Sequence, residues 1–333
     1  MGKARTILAA DIDLENACIR YDQSVKKVIA NIPVLARILK YTVEEVYDFP
    51  IDKIEACIGK DSIEISKVQV KPGMTNRKIV GENPQDFVKD EGVVFFDIRF
   101  SLYLPGGECR KVIINIEAQR KSNPGYSLVS RGIFYVARLI SAQLGVEFFN
   151  NKEDSTQYDG IKKVYSIWIC MDCPADKRDS IISYSLSPKV LYSGNPKLNI
   201  DYNYDLINVT LVHLNKSPGK SSHELIRMMD ILLSSMEACE KKRVLDVEHG
   251  LQMSVQMEQE VAGMCNLSAG VLEEGIMLGE ARGMALGETQ GINLINDLYA
   301  YLLSKGMTDD MNKAIRDKEY CNFLLNKYRS LLV

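Results

Sequence analysis

The sequence predicts a mixed α/β core followed by a helical C-terminal tail. Three observations support this prediction. Two neighbouring segments, residues 93–103 and 111–119, alternate apolar and polar side chains with period two, as half-buried strands do. Residues 164–171 form an apolar run typical of a strand buried on both faces. Apolar residues recur at helical spacing in residues 24–40 and 127–149.

Length and composition are those of a folded protein. The 333 residues suffice for a large domain with an appendage, and we expect a core domain over residues 1–236 and a helical tail over 237–333. Hydrophobic residues make up 46% and charged residues 26%, which is ordinary for a globular protein. No apolar run reaches the roughly 18 residues of a membrane span, and the first residues lack a secretory signal. We therefore expect a cytoplasmic protein.

The charge distribution allows only local attraction to nucleic acid. The net charge is −3, so the whole surface does not attract a polyanion. A basic excess does occur in residues 110–138, which contain six basic residues and the single acid Glu117.

Cysteine and histidine spacing argues against several chemistries. Eight cysteines in a chain of this length do not resemble a disulfide framework. Cys170 and Cys173 form one C-x-x-C without a second pair at zinc-ribbon spacing, so we expect reduced cysteines in or beside a core strand. The three histidines have no metal-ligand or triad spacing, which argues against His-based zinc hydrolysis and against Ser-His or Cys-His catalysis.

The first elements read as helix, short helix and strand. Residues 24–40 carry their apolar side chains at helical spacing. Thr42 with Glu45 has the spacing of a capping box that starts a short helix. Residues 63–70 alternate enough for a strand, and the pair Pro72–Gly73 ends it.

The next two segments read as an antiparallel hairpin joined by Pro105, Gly106 and Gly107. Residues equally far from the turn come opposite each other, so Asp97 should face roughly Asn115 to Glu117. The polar face then gathers Asp97, Glu117 and Gln119. A plain solvated sheet surface shows the same alternation and is the alternative interpretation.

The remaining elements alternate between helices and strands. A long amphipathic helix is predicted over residues 127–149, with Arg131, Tyr135 and Arg138 on one stripe. Ser221 and Glu224 have the spacing of a second capping box. Further strands are predicted at residues 181–192 and 206–214, and further helices at 225–236 and 241–260.

The tail contains an internal repeat, in which GIMLGEAR at residues 275–282 and GMALGETQ at 283–290 share one pattern and Gly291 begins a third copy. Each glycine inside a helix costs about 1 kcal/mol relative to alanine, so an isolated helix here is weak. The charges of Glu280, Arg282 and Glu288 exclude membrane insertion. Two interpretations remain: a close-packed helix for self-association, which we favour, and a pliable tether.

The hairpin residues suit metal-assisted phosphodiester chemistry. Two carboxylates held close together repel unless a cation or proton lies between them, and Mg²⁺ prefers such oxygen ligands, with Mn²⁺ as a substitute. Asp97, Glu117 and the carbonyl of Ala118 are the candidate metal ligands. Gln119 can donate to a bound water or phosphate. Arg131 and Tyr135 of the following helix could bind the phosphate and its developing charge.

These residues also carry a family resemblance. The pattern D-x(19)-E-x-Q, from Asp97 to Gln119, resembles the PD-(D/E)XK nuclease motif with glutamine in place of lysine. The segments GVVFFDIRF, IINIEAQRKSNPGYSLVSRGIFYVARLISAQ and IKKVYSIWICMD resemble the PD-(D/E)XK nuclease family transposases, the recombination-promoting nuclease / putative transposase group. YDQSVKK, with Asp22 and Lys26, is similar to the D-x-x-x-K helix of that group, and the glycine repeat to its tail.

The resemblance implies a restriction-endonuclease-like core, with a central mixed sheet flanked by helices. It implies DNA endonuclease activity in recombination or mobile elements, with Asp97 and Glu117 binding Mg²⁺ and Gln119 replacing the lysine. Arg131 and Tyr135 match its R-x-x-x-Y. A neutral glutamine cannot stabilise the transition state as an ammonium does, so a slow enzyme is one expectation. The acid of the preceding helix stays open among Glu44, Glu45 and Glu55.

Two other functions compete with this hypothesis. The first is a catalytically silent member that binds DNA or proteins and assembles through its tail. The second is a glycosidase with the two carboxylates as acid and base. The glycosidase is less favoured because Trp168, the single tryptophan, is expected in a buried strand and offers no sugar platform.

Overall fold

The structure is a computed structural model and describes residues 7–70, 94–105, 110–121, 124–144, 146–148, 158–200 and 204–331. It divides into two compact units. The larger unit is Arg20–Ser268, and the smaller consists of the described residues before and after it. The predicted domain boundary at residue 236 lies within the larger unit, whose core includes Leu245 and Met257 beyond that boundary. An independent domain over residues 1–236 stays a prediction.

Six strands of the described chain form one mixed, open sheet, which confirms the α/β prediction. The sheet order is β1-β2-β3-β4-β6-β5. Strands β1, β2 and β3 pair antiparallel, β3, β4 and β6 pair parallel, and β5 closes the other edge antiparallel. The strands are β1 Glu64–Val70, β2 Val94–Leu104, β3 Arg110–Lys121, β4 Val164–Asp172, β5 Ser180–Ser185 and β6 Ile207–His213.

Period-two alternation gives the sheet two covered faces. Ile98, Ile114 and Ile167 point into the larger hydrophobic core. Ile113 and Trp168 point to the opposite face, into a second core that includes Val136 of the helix following β3. Strand β4 is buried on both faces, as its apolar run predicted.

Helices cover both faces of this sheet. The core facing Ile98 includes α2 and α5 side chains, and α4 packs against the face that holds Trp168. The helices are α1 Ile7–Ile29, α2 Ile32–Thr42, α3 Ile51–Cys57, α4 Leu128–Ser141, α5 Glu224–Leu232, α6 Ala238–His249, α7 Val255–Ser304, α8 Thr308–Arg316 and α9 Lys318–Tyr328.

Two predicted helices are each broken in two. The apolar pattern of residues 24–40 runs across a break at Asn31, whose extended backbone begins α2 just before Pro33. Proline fits the first turn of a new helix but removes a donor from the interior of a continuous one. The pattern of residues 241–260 is broken at Gly250, which takes φ +56° after α6. Glycine adopts this left-handed conformation without a Cβ penalty and so ends the helix.

Both predicted capping boxes are wrong. Thr42 is the last residue of α2, and its hydroxyl donates to the carbonyl of Ile38 at 2.7 Å. The hydroxyl of Ser221 donates to Asp179 and accepts from the backbone N–H of His223, which itself precedes α5. In both places the hydroxyl binds another group and does not cap the backbone N–H groups at the predicted helix start.

Two elements are shorter than predicted. Helix α4 begins after the capping hydroxyl of Ser127 but ends at Ser141 rather than at residue 149. Just beyond it, the Gln143 amide bonds both backbone groups of Lys162, at 2.9 and 2.7 Å, which holds the chain out of the helix. Strand β5 ends at Ser185, whereas the pattern extended to residue 192. The predicted turn residues Pro72, Gly73, Gly106 and Gly107 lie outside the described residues.

The glycine repeat lies within a continuous helix, α7, which has 50 residues. By length and composition alone, α7 could also cross a membrane, and 19% of its most apolar window is buried. The predicted absence of a membrane partner and the cytoplasmic location stay predictions. In the smaller unit, Leu298 and Leu302 of α7 pack with Ala314 of α8 and Leu324 of α9 in a small core of their own.

Candidate active site

Asp97 and Glu117 lie side by side on β2 and β3, as the hairpin register predicted. The β2–β3 ladder ends here with the pair Ile98 and Ile116. Beyond it, the backbone N–H of Asp97 donates to Glu117 Oε1 at 3.2 Å, and that of Ala118 donates to Asp97 Oδ2 at 2.9 Å. Each carboxylate therefore binds the backbone of the other strand where the ladder ends.

Burial and mutual repulsion make this pair electrostatically unusual. Glu117 is only 4% exposed. Burial, and after it the charge of Asp97, raises the pKa of Glu117 to about 8, although a hydrogen bond from Asn115 opposes the rise. Burial also raises the pKa of Asp97, against the lowering effect of Lys26. Burial and mutual repulsion disfavour the charged form of both acids, so an added cation would bind favourably between them.

A lysine from α1 reaches this pair. Lys26 Nζ lies 2.8 Å from Asp97 Oδ1 and 2.7 Å from Asp22 Oδ2. Burial opposes its charge, but the hydrogen bonds to Asp22 and Asp97 raise the pKa of Lys26 above its ordinary value. The D-x-x-x-K helix is therefore part of the site, since its two charged residues lie one turn apart on the same face of α1.

Of the three glutamates expected as the additional acid, two are engaged elsewhere and the third is exposed. Glu45 accepts from Tyr165 at 2.8 Å and pairs with Lys163 at 2.7 Å. Glu55 lies 3.9 Å from Arg37, and Glu44 is exposed on a short 3₁₀ turn. Asp22 is the acid that the fold brings next to the carboxylate pair, through Lys26. The sequence contained this signal in YDQSVKK. The sequence alone, however, does not show that α1 packs next to Asp97 on β2.

Arg131 and Tyr135 form the other side of the site. The Arg131 guanidinium donates to the Tyr135 hydroxyl at 2.6 and 3.1 Å and lies over the Trp168 ring, 5.3 Å from its centroid. The charge of Arg131 lowers the pKa of Glu117, so the two side chains interact. Arg138 of the same predicted stripe lies over Phe134 instead. The fold thus joins the predicted Arg131–Tyr135 pair to Glu117.

A buried polar row supports Glu117 and was not predicted. Asn115 donates to the hydroxyl of Ser166 at 3.2 Å, and the Trp168 indole donates to the same oxygen at 2.9 Å. Asn115 is paired with Ser166, and Glu117 with Trp168, in the β3–β4 register. A polar residue in each of two apolar central strands was a usable signal, because buried polar groups require partners.

Gln119 and Ala118 occupy the positions expected from the alternation. Gln119 is two residues beyond Glu117 on β3, lies opposite Cys170 and is partly exposed. Ala118 is buried in the larger core, while its backbone N–H binds Asp97.

Cys170 and Cys173 are buried, and both thiols are free, as predicted. Burial raises the pKa of both thiols, so these cysteines are unreactive core residues.

The donor set suits a hard divalent cation. Asp97 and Glu117 offer carboxylate oxygens, and both carry raised pKa values that a nearby cation would reverse. Among the described residues, no group of three or more His, Cys, Asp or Glu is arranged to hold a metal ion. Any ion here would therefore rely on two carboxylates, a backbone carbonyl and water, a sparse set that Mg²⁺ commonly accepts.

Comparison with known proteins identified no relative of this chain. No family model matches the chain, and neither the curated proteins nor the solved structures include a match.

Proposed function

We propose that this protein is a Mg²⁺-dependent endonuclease that hydrolyses DNA phosphodiester bonds. The observation that carries the proposal is the buried pair Asp97–Glu117, with the cations of Lys26 and Arg131 beside it. A carboxylate pair between two cationic side chains suits a reaction in which a metal ion and an anionic phosphate meet.

Asp97, Glu117 and the carbonyl of Ala118 are the residues that would hold Mg²⁺, or Mn²⁺ in its place. The bound ion would polarise the phosphodiester and lower the pKa of a water that attacks phosphorus. Glu117 accepts hydrogen bonds from the backbone N–H of Asp97 and from Asn115, so its carboxylate is held on the sheet before an ion binds.

Lys26 replaces the cation that Gln119 cannot supply. Its ammonium contacts Asp97 directly, at 2.8 Å, whereas the side chain of Gln119 is a neutral amide. Gln119 then orients water or a phosphate oxygen by hydrogen bonding. Arg131, pre-oriented by Tyr135, binds the phosphate from the side of α4.

DNA as substrate, and a role in recombination or mobile elements, rest on the resemblance to the PD-(D/E)XK nuclease family transposases. The restriction-endonuclease-like identity of the core rests on the same resemblance. The local basic excess of residues 110–138 supports an anionic polymer as the ligand, since it lies in β3 and α4, which frame the site.

Nicking of supercoiled plasmid in Mg²⁺ tests this proposal. We expect Glu117→Ala to abolish nicking. Glu117→Gln, which keeps the size of the side chain, should lower the rate on the order of a thousandfold, because a metal ligand contributes several kcal/mol. Glu55→Gln is the matched control, since Glu55 lies outside the site. Circular dichroism establishes that each variant is folded, and a folded Glu117→Gln variant with full activity would refute the assignment.

A catalytically silent protein that binds DNA or proteins, and that assembles through its tail, is the second candidate. The ion pair of Lys26 with Asp97 favours it, because an ammonium already neutralises one of the two carboxylates. Calorimetric titration with Mn²⁺ separates the two functions. Absence of metal binding together with retained retardation of DNA in a gel would favour the silent protein.

Self-association through α7 is compatible with both candidate functions, the endonuclease and the catalytically silent protein. A Cβ added at Gly275, Gly279, Gly283, Gly287 or Gly291 would meet no atom of the described chain within 4 Å. Ile276, Met284 and Leu286 on the same helix are exposed. We infer that a second copy of this chain packs on the glycine stripe, because two copies bring matching smooth surfaces with apolar borders.

A further inference from the structure

A completely buried lysine contacts a cysteine far from the carboxylate pair. Lys241 of α6 is 0% exposed. Its Nζ donates to the carbonyls of Leu232 and Ser234, at 2.9 and 2.7 Å, and lies 3.2 Å from Cys265 Sγ of α7. All these residues belong to the larger compact unit.

This arrangement differs from an ordinary buried lysine, which pairs with a carboxylate. The Lys241 ammonium instead contacts two neutral carbonyls and one sulfur atom. Burial lowers the pKa of Lys241, so more of it is the neutral amine, which carries a nucleophilic lone pair.

Cys265 can be reached from solvent, whereas Lys241 cannot. Cys265 is partly exposed, and its thiol also donates to the carbonyl of Met236 at 3.5 Å. The partial exposure of Cys265 offers a small oxidant a route to this residue, and the amine of Lys241 lies 3.2 Å from its sulfur.

We propose that Lys241 and Cys265 form a covalent sulfur–nitrogen bridge when the protein meets a peroxide. In the first step the thiol attacks the peroxide, the O–O bond breaks, and sulfur becomes a sulfenic acid while hydrogen peroxide is reduced to water. In the second step the neutral amine of Lys241 attacks that sulfur and displaces the hydroxyl group. The amine proton leaves with it as a second water molecule, so the bridge differs from the free pair by two hydrogen atoms.

The bridge ties α6 to the start of α7. It closes a loop between two helices that both contribute side chains to the larger core, Leu245 from α6 and Val261 from α7. A cross-link that fits an existing contact removes conformations from the unfolded chain and so stabilises the folded one. Excess thiol reductant cleaves the sulfur–nitrogen bond and restores both side chains.

Peptide mapping of the peroxide-treated full chain tests the bridge. After hydrogen peroxide treatment and alkylation of free thiols, we expect a tryptic species that joins the peptides of Lys241 and Cys265. It should lack two hydrogen atoms, resist cleavage after Lys241 and disappear with dithiothreitol. Cys239, which is exposed and free, reports general oxidation in the same digest.

Matched variants complete the test. Cys265→Ser and Lys241→Met should lose the cross-linked species, while Lys242→Met, which changes the exposed neighbouring lysine, should keep it. If Lys241→Met does not fold, the comparison of Cys265→Ser with Cys239→Ser decides the same question. Three outcomes would overturn the proposal: Cys265 oxidised without a cross-link, modification of Cys239 alone, or a bridge that retains an added oxygen atom.

Discussion

At the scale of single residues, the site places two buried carboxylates where each binds the backbone of the opposite strand. Glu117 is the more strongly perturbed acid because it is almost fully buried and faces the charge of Asp97. Lys26 relieves this repulsion on the Asp97 side, and Arg131 on the Glu117 side. The charge state of each acid therefore depends on a basic side chain from a helix. The sequence of the strand that carries the acid does not reveal that basic residue.

Lys26 is expected to contribute directly to nicking activity. Lys26→Met should lower the rate about a hundredfold at saturating Mg²⁺, because a positive charge beside the reacting phosphate is lost. The same change should tighten Mn²⁺ binding in calorimetry, since the ammonium no longer competes for Asp97. Lys27→Met changes the exposed neighbour and should leave the rate unchanged. An unaltered rate for Lys26→Met would show that the contact is only structural.

Glu117 should make the stability of the metal-free protein depend on pH. Its pKa is about 8 in the folded chain and ordinarily 4.5, so the folded state keeps a proton that the unfolded state releases. The stabilisation from this proton is complete below about pH 4.5 and is lost as the pH rises through about 8. Urea unfolding with a chelator present should therefore show stability falling over this range.

Glu117→Gln provides the control for this pH dependence. Glutamine has no titrating proton, so the decline between about pH 5 and about pH 8 should become shallower. An equal decline in the variant would assign the effect to other groups, of which Asp97 is the nearest with a raised pKa.

At the scale of elements, α4 must approach the sheet closely for Arg131 to reach Trp168. Gly132 permits this approach: a Cβ there would lie 2.5 Å from Val209 Cγ1 and 3.2 Å from the Trp168 indole nitrogen. Val209 and Trp168 are both fully buried, so neither can move away easily. The glycine next to Arg131 thus sets the distance between the helix and the carboxylate pair.

Gly132→Ala is expected to destabilise the protein by about 1–2 kcal/mol. Overpacking costs about 1–3 kcal/mol, and the better helix propensity of alanine offsets only part of it. Gly263→Ala on α7 is the control, because no described atom lies within 4 Å of its added Cβ, and it should be neutral or stabilising. Chemical denaturation measures both. Equal effects of the two substitutions would contradict the close packing of α4.

At the scale of the whole molecule, charge and chain organisation point to local rather than global recognition. The net charge of −3 does not attract a polyanion, so the proposed DNA binding would depend on Lys26, Arg131 and their neighbours at the site. The long helix α7 exposes apolar side chains and a stripe of glycines that no described residue covers. Under the proposed function, DNA would be the partner of the first feature and a second copy of this chain the partner of the second.

Self-association is expected to depend on the smooth stripe of α7. Gly283→Leu should lower the sedimentation coefficient of the full chain at micromolar concentration, since a bulky side chain separates the paired helices. Ala281→Leu adds the same side chain on the opposite side of the helix and should preserve the assembly. A monomeric wild-type chain would instead favour the interpretation of α7 as a tether.

The hairpin, the buried central strand and the juxtaposition of Asp97 with Glu117 were predictable from sequence, because period-two alternation and a short turn fix which residues face each other. The break at Asn31, the end of α4 at Ser141 and the failed capping boxes were less accessible. The end of α4 and the role of Ser221 depend on distant partners, Lys162 and Asp179, that the local pattern does not contain. At Asn31 and Thr42 the deciding features are local, but apolar spacing alone does not include them.

The sequence by itself determined the strands, their faces and the acidic pair, since these follow from local periodicity and hairpin register. Only the tertiary structure decided which cations and acids join that pair. Lys26 and Asp22 lie about 70 residues before Asp97, and Ser166 lies about 50 residues after Asn115, separations over which no local pattern acts. Such contacts form only when elements distant in the sequence pack into one core. The pairing of charges between those elements can therefore be seen only in the tertiary structure.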